Sequence, residues 1–197
     1  MIYSLRGKLI YTASTHCVIE CGGVGFKVSV SMLTQKKLSK IGEEAFLYTH
    51  MHIREDAMEL YGFSDTEEMS CFKMLISVSG VGPKVALSIM SELQPSQFAM
   101  CVVTDDVVPL TMASGVGPKL AKRIVLELKD KMKSEQISSD VSFDAGSQLS
   151  GDKLSEAANA LIVLGYSKAE AVLAVGREDS SKPLEEIVRA ALKKLMR

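Results

Sequence analysis

A chain of 197 residues is long enough for one large domain or two to three small ones, and 23 Lys and Arg against 24 Asp and Glu leave a formal charge of −1. That balance excludes a generally sticky polycation, so any affinity for nucleic acid must come from local placement of charge. No apolar run reaches the ~18 residues of a membrane span, and Met1–Lys8 lacks the pattern of a signal peptide, so a cytoplasmic protein without membrane contact is expected.

Residues 1–64 read as a barrel. Segments rich in β-branched and aromatic residues fall at Ile2–Tyr11, His16–Cys21, Gly25–Val30, Ala45–His52 and Ala57–Phe63, and Gly22-Gly23 is a hairpin turn signal. Met32–Ile41 has the pattern of a short helix after the third strand. Five short strands with a helix in that place fit a small closed Greek-key barrel of the OB type. Such barrels often bind nucleic acid, but the aromatic residues here are too few to propose base stacking. Cys17 and Cys21, if on one strand, stand ~13 Å apart, beyond disulfide reach, so reduced, half-buried thiols are expected. His50-x-His52 puts two imidazoles on one strand face, but no third ligand is in view and no metal is expected.

The fourth and fifth strands meet at Arg54-Glu55-Asp56. Two adjacent carboxylates at a hairpin tip are ordinarily a solvated turn. Held near DNA they would repel the phosphate backbone by ~1 kcal/mol or more per pair, depending on screening. They would then keep two strands apart or stop DNA settling on a surface.

Residues 65–133 read as helical. Asp65 or Thr66 can cap a helix through about Val78, with Glu67 and Glu68 in its first turn. A helix to Leu93 follows, then a short one opened by Pro95, another begun at Asp105, and a longer one to about Lys133. Within this stretch Met74–Leu93 and Pro109–Leu128 are an internal repeat, and each copy contains Ser-Gly-Val-Gly-Pro-Lys, at Ser79–Lys84 and Ser114–Lys119. Each copy is an apolar helix end, a Gly-x-Gly turn and a new helix. Proline at the first helical position has no amide hydrogen to leave unpaired. The glycines permit positive φ and close backbone approach. The free amides and dipole of the new helix can hold an anion, and Lys84 and Lys119 add full positive charge. Two matched turns suggest two phosphates on a repeating backbone.

A Gly-x-Gly turn is also an ordinary connection between helices; its duplication with Pro-Lys favours binding. Gly80, Val81, Gly82, Lys84, Gly115, Val116, Gly117 and Lys119 are therefore the candidate site. Residues 115–133 carry six cations against Glu127 and Asp130. Lys122 and Arg123 lie near the anion-binding end and are assigned to DNA, whereas Lys129–Lys133 read as a solvated face. Neither hairpin has the Gly-Lys-Ser/Thr of a P-loop, so no means of hydrolysing a nucleotide is visible. No catalytic residue and no cofactor is expected.

Ser134–Gly151 is serine-rich, acidic and without period, as in a flexible linker. Residues 152–197 regain helical periodicity over Lys153–Leu164, Lys168–Val175 and Pro183–Met196, with Ser167 a cap for the second helix. About 45 residues make a marginal core, which suggests a tethered three-helix module. Leu161, Leu164 and Tyr166 are core or a partner-docking face, with core the stronger reading for the leucines.

Taken together, Leu5-Arg6-Gly7, Gly22–Gly25, Arg54–Asp56 with Leu60–Phe63, both hairpins and Leu164-Gly165-Tyr166 resemble the RuvA family, the Holliday-junction-binding subunits of the bacterial branch-migration complex. The resemblance spans the chain. It implies an α+β, multidomain fold: a five-stranded OB-type barrel (1–64), a tandem helix-hairpin-helix domain (65–133), a linker (134–151) and a three-helix, UBA-like partner-binding domain (152–197). It implies a non-catalytic DNA-binding subunit for recombination and repair. Its homotetramer, or two stacked tetramers, would hold a four-way junction open and square. The ATPase RuvB would be recruited through the C-terminal domain, with the resolvase RuvC a further partner. The ten hairpin and helix residues named above match duplex-backbone contacts, and Glu55 and Asp56 match an acidic pin at the junction centre. Pro118 stands where some relatives carry lysine, which weakens one phosphate contact. The rival reading is a helix-hairpin-helix repair enzyme, a glycosylase or nuclease, but no base pocket with a catalytic Asp or Lys is apparent. A third is an adaptor that binds no DNA.

Overall fold

The computed structural model describes residues 1–138, 153–176 and 178–195. Its first five strands are β1 (Ser4–Ala13), β2 (His16–Cys21), β3 (Val24–Val30), β4 (Glu44–Ile53) and β5 (Met58–Phe63). They close in the order β1-β2-β3-β5-β4, with β1 pairing to β4 and a parallel β3–β5 contact. Alternation along the strands turns Leu5, Leu9, Cys17, Ile19, Val28, Val30, Ala45 and Leu47 inward as the barrel core. The interior leaves no room at Gly62: a Cβ there would lie 2.5 Å from Val28 Cγ1 and 2.8 Å from Leu47 Cδ1.

Helix α1 (Met32–Lys37) follows β3 and is capped by Ser31, whose hydroxyl accepts the Thr34 N–H at 3.0 Å. It stops short of the expected Ile41. Leu38 leaves the helix with ψ 148° and packs on the barrel core from extended backbone.

Seven longer helices and one 3₁₀ turn follow among the described residues. They are α2 (Thr66–Ile76), α3 (Pro83–Glu92), α4 (Pro95–Thr104), the 3₁₀ turn Pro109–Met112, and α5 (Pro118–Ser138); then α6 (Lys153–Val163), α7 (Lys168–Val175) and α8 (Leu184–Leu195). Asp65 caps α2 by accepting the Glu68 N–H at 2.8 Å. Asp105 starts no helix. It ends α4 in the left-handed region, at φ 60°, a conformation that aspartate tolerates, and its carboxylate pairs with Lys129 of α5. Helix α5 continues to Ser138, inside the segment expected to be a linker; 139–151 lies outside the described residues.

Barrel and helices are joined through a buried carboxylate. Glu68 is 2% exposed. It accepts hydrogen bonds from Thr34 Oγ1 (2.5 Å), Lys37 Nζ (2.8 Å) and the Ser64 N–H (3.1 Å), which satisfies its charge. Burial alone would lower the Lys37 ammonium, but Glu68 and Asp65 outweigh it and hold its pKa above the usual lysine value.

The three C-terminal helices share one apolar core with α2–α5. Phe72, Leu75, Phe98 and Ile124 are continuous with Ala157, Leu161, Val175 and Ile187. A core that is marginal alone is thus completed by docking. Leu161 and Leu164, considered above for a partner surface, are 0% and 2% exposed, so neither presents a face to a partner in this packing. Tyr166 is half-buried, and its hydroxyl donates to Glu67 Oε1 of α2. Among the described residues no helix is long and apolar enough to cross a membrane.

Candidate nucleic-acid interface

The repeated sequence builds the same turn twice. In the first, Val78 N–H donates to Leu75 O and Val81 N–H to Val78 O; in the second, Ala113 N–H donates to Leu110 O and Val116 N–H to Ala113 O. Gly80 and Gly115 take φ of +87° and +85°, which a side chain would strain. The following helices start alike, with Ala86 N–H donating to Gly82 O at 3.0 Å and Ala121 N–H to Gly117 O at 2.9 Å. In α3 the N-cap is Gly82, which has no side chain to satisfy the first-turn donors, and Pro83 has no N–H. The amides of Gly82, Lys84 and Val85 are left at the positive end of the dipole. That is anion-binding geometry.

The two turns pack reciprocally. A Cβ on Gly80 would lie 3.7 Å from Leu120 Cδ1 and 3.5 Å from Arg123 Nη1, both at the start of α5. A Cβ on Gly115 would lie 3.5 Å from Val85 Cγ2, at the start of α3. Val85 and Leu120 are matched positions of the repeat. Each hairpin glycine therefore sits against the other unit's helix start, and the turns stand side by side. Gly80, Lys84, Gly115, Gly117, Lys119, Lys122 and Arg123 are exposed, and Gly82 is half-buried.

Val81 and Val116 need a correction. Each is 5% exposed and each spends its amide inside the turn. They anchor the hairpins to the core and offer nothing outward. The cations also divide. Lys129 and Lys131, read from sequence as a solvated face, tie α5 to Asp105 and to Ser77. Arg123 has a structural task too, donating to Ser79 O at 3.4 Å, while Glu127 accepts the Ser79 N–H at 3.1 Å. Helix α5 thus clamps the first hairpin from both sides. In the sequence Glu127 is marked only by its match to Glu92 in the repeat.

At the β4–β5 tip, the Arg54 N–H donates to Ala57 O at 2.8 Å and closes the turn. Glu55 and Asp56 are exposed there, and neither enters an ion pair among the described residues. The two histidines of β4 are accounted for by neighbours. His52 Nε2 accepts from Arg54 Nε at 3.0 Å, and His50 packs against the Phe72 ring. Burial, then Lys73 and His52, hold the His50 pKa below its usual value. Among the described residues no group of three potential ligands could hold a metal. Burial raises the Cys17 and Cys101 thiols to about 11, which leaves them protonated.

A closed five-stranded barrel followed by paired helix-hairpin-helix turns defines a protein of the DNA-backbone-reading class. Comparison with known proteins specifies it further. Family profiles described as "RuvA N terminal domain", "SAM-like Helix-hairpin-helix tandem" and "RuvA, C-terminal domain" match residues 1–62, 72–130 and 152–196. Curated relatives include the "Holliday junction branch migration complex subunit RuvA" of Acetivibrio thermocellus, 45% identical over all of both chains. Those of Ruminiclostridium cellulolyticum (40% identical, 99% of this chain and 100% of that one) and Colwellia psychrerythraea (38%, all of both) carry the same description. The chain belongs to the RuvA family.

Proposed function

We propose that this protein is the non-catalytic, junction-binding subunit of a branch-migration complex. It reads four-way DNA by backbone and shape, because the four arms of a junction share no sequence. The observation that carries the reading is the reciprocal packing of the Gly80 and Gly115 turns, which sets the two helix starts side by side. One subunit grips one arm across its minor groove through Gly80, Gly82, Lys84, Gly115, Gly117, Lys119, Lys122 and Arg123. A homotetramer repeats the grip around the junction and holds it open and square, and two tetramers can sandwich the DNA. Glu55 and Asp56 act as a pin at the centre, where their charge repels phosphates. ATP hydrolysis resides in the partner, RuvB, recruited through the C-terminal helices; the resolvase RuvC is a further partner. The protein works in the bacterial cytoplasm.

A gel shift with four-way junction against duplex of the same sequences tests this. Preferential junction binding without cleavage is expected. Equal binding to duplex would overturn the reading, and cleavage by the protein alone would favour a repair enzyme.

A further inference from the structure

The β4–β5 hairpin has two unlike faces where it leaves the barrel. On one, His52 pairs with Glu59 and Arg54 donates to His52, so that face is polar. The other continues the barrel's inward row. The cross-strand pairs on it run Thr49 with Gly62, Met51 with Leu60, and Ile53 with Met58. Thr49 is buried and Leu60 packs on the barrel core. One rung further there is no barrel left to cover the row, and Ile53 and Met58 are 60% and 72% exposed. Two large apolar side chains thus stand together directly beneath Glu55 and Asp56.

Charge decides what can cover them. The two carboxylates at the tip have no cationic partner among the described residues. A second copy docked on Ile53 and Met58 would bring further unpaired carboxylates against these. A phosphate approaching the pair meets the same repulsion. The uncharged face of an unstacked base does not, and apolar side chains that meet base faces are a recurrent means of holding a step open.

We propose that Ile53 and Met58 form an apolar wedge that receives bases opened at the crossover of the junction. The wedge rests on the junction-binding reading above. Carboxylates and wedge then divide the work: the former keep phosphates off the tip, and the latter gives the exposed bases somewhere to lie.

The test uses the full chain and a four-way junction with 2-aminopurine at the base pair beside the crossover, whose fluorescence rises on unstacking. The wild type should raise it on binding. Ile53→Ser/Met58→Ser should lose most of that rise at a protein concentration that saturates the junction. Ile53→Val/Met58→Leu should retain it. An undiminished rise in the serine variant would overturn the wedge. So would a change in its assembly state by light scattering, which would assign the pair to contacts between copies. Met58→Gln alone, at the more exposed position, gives the same readout if the double variant fails to fold. A wild type that binds no junction would instead defeat the reading on which the wedge rests.

Discussion

Tyr166 donates a hydrogen bond to Glu67 at 2.5 Å, across 99 residues of sequence. The bond fastens the turn after α6 to the first turn of α2. Glu67 is 9% exposed, and burial holds its carboxyl above the usual carboxylate range despite the opposing pull of Tyr166. Burial, then Glu67, push the Tyr166 phenol well up, so it remains a donor across the physiological range. Gly165 approaches the same helix: a Cβ there would lie 3.3 Å from Ser70.

Removing the donor should loosen the docking. Tyr166→Phe leaves a buried carboxylate short of a partner, at a cost of about 1–3 kcal/mol. Hydrogen exchange of α6 should quicken, with the barrel strands unaffected. Uniform protection would show that the bond contributes nothing.

The raised pKa of Glu67 fixes the sign of a pH effect. The folded state holds the proton more tightly than the unfolded chain. The contribution of this group is therefore fully present below the ordinary carboxylate pKa and is lost as pH rises through the raised value. Comparing wild type with Glu67→Gln from about pH 4 to 7 isolates it from other titrating carboxylates. The stability difference, wild type minus variant, should fall with rising pH; a constant difference would contradict the assignment.

Lys84→Ala and Lys119→Ala should each weaken junction binding for all arm sequences alike. Each should also lower the slope of log affinity against log salt by about one unit if the lysine contacts one phosphate. Titrations at several salt concentrations on two unrelated junctions check both points. A loss confined to one sequence would mean that the lysines read bases.

Glu127→Ala separates positioning from charge. The change removes a negative charge near the hairpin, so a purely electrostatic account expects tighter binding. Because Glu127 holds the Ser79 amide, the structure expects weaker binding, by about 1 kcal/mol or roughly fivefold. Equilibrium titration decides the sign.

Neutralising the tip, by Glu55→Gln with Asp56→Asn, should leave junction affinity unchanged or raised while altering strand separation at the crossover. Permanganate reactivity of crossover thymines reports the separation. Loss of binding would show that the two residues maintain the fold.

Local pattern carried most of the architecture. The strands of the barrel follow from β-branched runs and turn residues, and the paired hairpins follow from a repeat whose glycines permit positive φ at matched positions. What sequence hid was long-range or stereochemical. Asp105 has the composition of a helix start but ends α4 in the left-handed region, where its carboxylate meets Lys129 of α5. Val81 and Val116 sit inside the binding motif, yet only the hydrogen-bond pattern shows that their amides are spent. Glu67 reads as a first-turn helix charge and Glu127 as an acidic residue among cations, until folding sets each beside a partner from a distant segment.

The most direct measurement maps the backbone contact itself. Photocrosslinkers on single phosphates of each junction arm, with adducts located by mass spectrometry, report which residues lie against the sugar-phosphate chain. Adducts are expected at Gly80, Gly82 and Lys84 and at Gly115, Gly117 and Lys119, the same in every arm. Adducts concentrated on the barrel strands or the C-terminal helices, with both turns unmodified, would contradict the proposed grip.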